Sequence, residues 1–349
     1  MSYGSPEWAG WVLGEEEGLK HIKAAYDMGI NAFDTANMYS NGLSEVILGK
    51  AIKQYSLPRD EIVVMTKVWG TVSRSMSDNL AAASQEQLEQ NRYTNQQGLS
   101  RKHIFDSVKH SLERLQLDYI DLLQCHRFDY NTPIEETMQA LHDVVKAGYV
   151  RYIGMSSCYA WQFHKMQNYA REHSLTQFIS MQNTHNAVYR EEEREMAPLL
   201  QDLGVGMIPW GPLAHGFLTR RVSEESSRGQ KDMILKRKNA EAQAETFVLD
   251  INAKVAEIAE KRGISMAKVA LAWSLSKPFV SAPIVGTTSI EKLKELVGGS
   301  SLLLYHLLSV NLTGTAPNCI LDGIQVKLTG EEIKAIDDLY RPRAISGHR

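Results

Sequence analysis

Residues 30–67 read INAFDTANMYSNGLSEVILGKAIKQYSLPRDEIVVMTK, and their pattern decides the fold. An apolar, β-rich run (30–35) stops at an aspartate and a threonine, and turn-forming SNG follows at 40–42. Apolar residues then recur at helical spacing through 44–55, before a second β-rich run, IVVMTK, at 62–67. Strand, helix and strand in immediate succession mean two parallel strands joined by a helical crossover.

The unit repeats along the chain. Further strand-like runs are YIDLLQCH (119–126), YIGMSS (152–157), FISMQN (178–183), VGMIPW (205–210) and SAPIVG (281–286). Helical spacing is expected over 15–28, 44–55, 100–115, 134–147, 159–172, 191–203, 251–276 and 289–297. Gly29, Gly148 and Gly204 stand where a helix gives way to a strand, the usual place for a left-handed closing residue. Such alternation defines an α/β protein with a parallel sheet. Seven strand–helix units are countable and an eighth closes a (β/α)8 TIM barrel, with MSY at 1–3 read as the tail of a first strand. An open doubly wound sheet fits less well, because no GxGxxG follows any strand. One barrel domain over 1–349 is therefore expected.

Composition narrows the function classes. The 349 residues are 43% hydrophobic and 23% charged, with net charge −3 and no basic block, so nucleic acid and anionic membrane are not the expected partners. Three widely spaced cysteines (Cys125, Cys158, Cys319) suit a reducing compartment better than a disulfide framework or a metal site. The opening MSYGSPEWAG has neither a basic start nor an apolar stretch, and the apolar run LLLYHLLSV at 302–310 is too short to span a bilayer. A soluble cytoplasmic protein is the expectation. Two stretches break the rhythm. Residues 71–99 are polar, placed as a long loop over the C-terminal mouth of a barrel, and 298–323 is a leucine-rich insert with no clear period.

In a barrel, chemistry gathers where strands end. Those ends carry Asp34, then Tyr39 five residues on, Lys67 and His126. Singly, each has an ordinary explanation: a helix cap for Asp34, a snorkelling lysine, a satisfied core histidine. Together they form a chemical set. A neighbouring ammonium favours a phenolate, so Lys67 suits Tyr39 to acid–base work, with Asp34 holding the lysine. A neutral His126 can orient a carbonyl. The set offers no obvious nucleophile and no metal-ligand spacing; it suits protonation of an alkoxide while hydride arrives from a separate carrier.

Several motifs resemble the aldo-keto reductase superfamily: FDTANMYSNGLSEVILGKAI (33–52), VVMTKVW (63–69), DLLQCHRFD (121–129) and IPWGPLAHGFLTR (208–220). The resemblance runs over about 1–297 and resumes at about 324–348, and within the superfamily it is strongest to the fungal aryl-alcohol dehydrogenase and versiconal-hemiacetal-acetate-reductase-like group, whose genes often sit in secondary-metabolite clusters. It implies a barrel enzyme using NADPH to reduce an aldehyde or ketone, usually as a monomer, with Asp34, Tyr39, Lys67 and His126 as its tetrad. A catalytically silent NADPH-binding subunit on the same fold is the alternative.

The resemblance also implies cofactor contacts. Ser156 matches a residue that binds the nicotinamide amide, Ser157 replaces the usual asparagine, and Gln182 matches the amide-binding glutamine. Trp210 falls where an aromatic underlies the nicotinamide. Gly211, Pro212, Leu213, Gly216, Leu218 and Arg220 match the pyrophosphate strap. Gly286, Thr288 and Lys292 fall at the 2′-phosphate site, with Thr288 in place of an arginine, Lys292 of a glutamine and Leu296 of an asparagine. Against this pattern, the chain opens without the usual N-terminal hairpin and most of strand one. The 298–323 insert reads as a retained intron or gene-model error. Trp69 and Phe128 suggest an aromatic-lined pocket.

Overall fold

The computed structural model describes residues 1–80, 83–222, 224, 245–297 and 326–348; the 298–323 insert and Cys319 lie outside them. The chain divides into two compact units, one of Met1–Met181 with Gly347–Arg349, the other of Gln182–Ser346.

The first unit holds five parallel strands in sequence order: β1 (Ala32–Asp34), β2 (Val63–Val68), β3 (Ile120–Cys125), β4 (Val150–Met155) and β5 (Phe178–Met181). Between them run α1 (Glu15–Asp27, before β1), α2 (Leu43–Gln54), α3 (Gln85–Gln90), α4 (Arg101–Leu115), α5 (Ile134–Lys146) and α6 (Ala160–Glu172). The elements follow local chemistry. The Ser100 hydroxyl accepts from the His103 amide and starts α4. Ser84 and Gln87 cap α3 reciprocally, which gives a turn of helix to the polar 71–99 stretch. Gly29 and Gly148 adopt the left-handed backbone expected of them. Tyr3 makes an isolated parallel bridge with Leu13 rather than extending the sheet.

Alternation along each strand sends one set of side chains to the helices and the other to the opposite face. Register places Lys67, Gln124, Gly154 and Ser180 side by side across β2 to β5. This polar row lies within a unit in which Ile47, Ile104, Leu115, Ile120, Leu123, Met138 and Phe163 are fully buried. Each such side chain contributes on the order of 2 kcal/mol by leaving water.

The second unit continues the alternation. It contains α7 (Met196–Leu203), β6 (Gly206–Met207), α8 (Thr246–Arg262), α9 (Met266–Leu275), α10 (Ile290–Val297) and α11 (Gly330–Asp337). Parallel bridges join Thr184 to Trp210, Met207 to Val280 and Trp210 to Ile284, so the runs at 178–183, 205–210 and 281–286 all behave as parallel strands. The α/β class and the barrel's strand–helix succession are as the sequence pattern indicates. Two helices differ from expectation. A 3-10 turn at Glu191–Glu193 precedes α7, and the single helix expected over 251–276 is two. Gly263 takes φ 62° and ends α8, and the Ser265 hydroxyl caps the restart. Leu218, Val248, Ile251, Val255, Val269 and Trp273 form this unit's core. Asp337 accepts hydrogen bonds from Trp273 Nε1, Lys277 Nζ and Arg190 Nη1 at 2.8, 2.7 and 2.9 Å. No helix of the described residues is long and apolar enough to cross a membrane.

The tightest approach between helices in the first unit is at Gly49. A methyl there would lie 2.2 Å from the Leu115 carbonyl oxygen, so α2 reaches the end of α4 backbone to side-chain-free backbone. Gly→Ala inside a helix ordinarily stabilises by roughly 1 kcal/mol. Here the sign reverses: Gly49→Ala should destabilise by about 1–3 kcal/mol through overpacking, read as a lower urea midpoint at unchanged m-value.

Candidate active site

The site in the first unit starts from the end of β1. Asp34 Oδ2 accepts from Lys67 Nζ at 2.5 Å, and the same ammonium donates to the Thr35 carbonyl at 2.8 Å. Gln124 Nε2 donates to the other carboxylate oxygen, Oδ1, at 3.1 Å. Lys67 does not snorkel; its side chain is 1% exposed and that of Asp34 9%. Burial alone would push the lysine's pKa down, but the Asp34 charge, and after it Tyr39, outweigh burial and leave it raised. The ammonium therefore stays charged, 5.2 Å from the centre of the Tyr39 ring.

Tyr39 is carried on a strained turn. Ser40, Asn41 and Gly42 take successive φ values of 47°, 52° and 92°, all left-handed. Such backbone costs about 1–3 kcal/mol per non-glycine residue unless its surroundings hold it. They do. Asn41 Nδ2 donates to the carbonyls of Ser75 (2.8 Å) and Asp78 (2.7 Å), and its Oδ1 accepts from the Ser73 amide at 3.1 Å. Arg114 lies against Gly42 so closely that a Cβ there would be 2.5 Å from its Cδ. Its Nε in turn donates at 2.6 Å to Glu45, a fully buried carboxylate that also accepts from Thr66 Oγ1 at 2.5 Å. The turn, α2, α4 and β2 are thus one bonded assembly around Tyr39.

His126 follows β3 and meets Tyr39 edge to face, with ring centres 5.7 Å apart and planes at 83°. Burial first, and then the charges of Lys67 and Arg127, hold its pKa well below the ordinary histidine value, so the imidazole is neutral. Its Nδ1 is buried and meets no hydrogen-bond partner among the described residues. The four residues expected at strand ends therefore converge: Lys67 bonded to Asp34, with Tyr39 facing both Lys67 and His126. Ser156 and Ser157, also in this unit, are buried, with their hydroxyls 3.3 Å apart and Ser157 at φ 52°.

The remaining expected contacts lie in the second unit. Gln182 is buried, while Trp210 is partly exposed, its ring 5.8 Å from that of His215. The strap 211–220 is irregular, with Gly211, Ala214, His215 and Gly216 all left-handed. Pro212 is buried, and Gly216 leaves room for Arg220, whose Nη2 a Cβ would approach to 3.2 Å. Leu218 is fully buried and the partly buried Leu213 packs on the same core. Gly286, Thr288 and Lys292 are exposed around the start of α10, whereas Leu296 is buried as a packing residue.

Sequence reasoning missed Gln124, Asn41, Glu45 and Arg114. Gln124 was detectable as the one amide within DLLQC, a strand otherwise apolar after its first residue. The others make their contacts 21–69 residues away, which no local pattern reports.

Parallel strands followed by helices, with ionisable groups gathered at strand ends, define the α/β-barrel class. The chain belongs to the aldo/keto reductase family, whose pattern it matches over residues 1–305. It is 45% identical to versiconal hemiacetal acetate reductase of Aspergillus parasiticus, over 99% of this chain and 93% of that protein. It is 42% identical to an aldo-keto reductase of Metarhizium robertsii (100% of this chain, 88% of that one) and 43% to a putative aryl-alcohol dehydrogenase of Schizosaccharomyces pombe (99% and 92%).

Two measurements check the electrostatics. Replacing Asp34 by Asn leaves a buried ammonium without its counter-charge and should cost about 3–5 kcal/mol of unfolding free energy. His126 should stay uncharged between pH 8 and 6, its ring proton NMR shifts flat while exposed histidines titrate. Because an unfolded imidazole takes up a proton near pH 6.5 and the folded one resists it, the stability linked to His126 is present above that pH and falls as pH drops below it.

Proposed function

We propose that this protein reduces an aldehyde or ketone to an alcohol with NADPH. The observation that carries the reading is the charged, immobilised Lys67 facing Tyr39, with neutral His126 on the tyrosine's edge. The names of the relatives, reductases and aryl-alcohol dehydrogenases, agree with carbonyl–alcohol chemistry.

The chain's residues fit the cofactor. In the first unit Ser156 is a buried polar group of the kind that binds a carboxamide; in the second, Gln182 is another and the partly exposed Trp210 offers an aromatic face. The left-handed strap with the half-buried Arg220 suits a pyrophosphate. Burial draws the Arg220 pKa down against the opposing charge of Glu224, and an anion there would add to that counter-charge. Thr288 and Lys292 at the start of α10 suit a 2′-phosphate, which favours NADPH over NADH.

When held by these residues, NADPH would be the source of the hydride that the carbonyl carbon takes up. The imidazole N–H of His126, kept neutral, hydrogen-bonds the carbonyl oxygen and fixes its direction. The Tyr39 hydroxyl gives its proton to that oxygen as negative charge develops. Lys67 stabilises the phenolate left behind, and Asp34 with the Thr35 carbonyl keeps the ammonium in place. The strained turn fixes the phenol's position before substrate arrives. The resemblance to the versiconal-type group supports a role in fungal secondary metabolism.

The test follows NADPH absorbance with a panel of aromatic and aliphatic aldehydes. Wild type should turn over at least one. Tyr39→Phe should keep NADPH affinity and lose roughly 100- to 10,000-fold in kcat, the usual worth of a positioned acid. An unchanged rate would remove Tyr39 as the acid. Tight NADPH binding with no turnover by wild type would favour the silent-subunit reading.

A further inference from the structure

Arg127 has no role in the reaction described above, yet it sits beside it. Among the described residues seven arginines are half-buried: Arg59, Arg114, Arg127, Arg190, Arg220, Arg262 and Arg343. Five of them hold a carboxylate. The exceptions are Arg220, assigned above to the cofactor, and Arg127. The Arg127 guanidinium donates Nη1 to the His126 carbonyl at 2.8 Å and pairs with no acidic side chain among the described residues. Burial pulls its pKa down, and the opposing influence comes from Tyr39, which places the cation within electrostatic reach of that phenol. A partly desolvated guanidinium without an anion is costly, and its five donors match a carboxylate in geometry.

The neighbouring surface is aromatic. Phe128 meets Tyr130 edge to face at 5.0 Å and lies 6.4 Å from Trp161. Tyr130 and Trp161 are 59% and 60% exposed, unusual for rings of that size. Arg127, Phe128 and Tyr130 occupy one loop, directly after the histidine that orients the carbonyl, and Trp161 reaches Phe128 from α6.

We propose that Arg127 is a specificity residue that binds the carboxylate of an aryl aldehyde or ketone, with Phe128, Tyr130 and Trp161 flanking the substrate's ring. The assignment rests on the carbonyl-reductase reading and names its substrate class. The carboxylate neutralises a cation that meets no acidic side chain among the described residues, and it anchors the ring so that the carbonyl lies against His126 and Tyr39.

The test compares para-carboxybenzaldehyde with the near-isosteric, uncharged para-carbamoylbenzaldehyde. Wild type should prefer the carboxylate by roughly 10- to 100-fold in kcat/KM, the range of one hydrogen-bonded charge pair, expressed mainly in KM. Arg127→Gln should bring that ratio to near one, and Arg127→Lys should retain part of it. A ratio near one in wild type, or one that survives Arg127→Gln, overturns the proposal. So does a preserved ratio accompanied by weaker NADPH binding in a fluorescence titration, which would assign the arginine to the cofactor. Should neither aldehyde be turned over, the panel of aldehydes above decides the reductase reading separately. Calorimetric binding of para-(hydroxymethyl)benzoate to the NADP-loaded protein then decides Arg127: several-fold weaker binding by Arg127→Gln supports it, and equal affinity refutes it.

Discussion

The buried ion pair between Asp34 and Lys67 is the interaction on which the candidate site depends. Two charges removed from water gain little net stability and often lose some, because desolvation offsets most of their attraction. Its value here is placement. The pair satisfies one carboxylate oxygen with an ammonium and the other with Gln124, and it gives the ammonium a second acceptor in the Thr35 carbonyl. A lysine so held stays charged inside a protein unit, where its field acts through a low dielectric on the one phenol it faces. Lys67 and Gln124 belong to a row that Gly154 and Ser180 continue across four strands. Gly154 makes the row possible, since any Cβ there would collide with the Ser180 hydroxyl at 2.4 Å.

Backbone strain supplies the second constraint. A phenol must approach the lysine from a fixed direction, and a relaxed loop would let it swing. Three consecutive left-handed residues are an expensive way to end a turn, tolerated because Asn41, Arg114 and Glu45 bind it on several sides. The polar 71–99 stretch has a structural use in this: its backbone carbonyls at Ser75 and Asp78 are the acceptors that pin Asn41. A loop that looks like mere cover over the sheet is part of the clamp on the tyrosine.

Charge is distributed around the site with one neutral member. Lys67 and Arg127 flank His126, and together with burial they deny it a proton. A neutral imidazole can donate a hydrogen bond without competing with tyrosine as the acid, so the two cations divide the labour of the site. One cation is matched internally by Asp34; the other is left for an anion from outside.

The sequence by itself determined the succession of parallel strands and helices, because periodicity of two and of 3.6 residues is a local property of side-chain burial. It also marked the strand-end residues Asp34, Lys67 and His126 and the nearby Tyr39, since polar groups interrupting apolar runs stand out without knowledge of their neighbours. It misjudged the 251–276 helix, where one left-handed glycine and a serine cap outweigh continuous apolar spacing. What only tertiary structure decided is pairing. That Glu45 serves Arg114 and Thr66, that Asn41 fastens a loop more than thirty residues ahead, and that Arg127 meets no carboxylate among the described residues all depend on distances between residues remote in the chain. A charge's energy depends on its partners and its exposure, and neither is written in the local sequence.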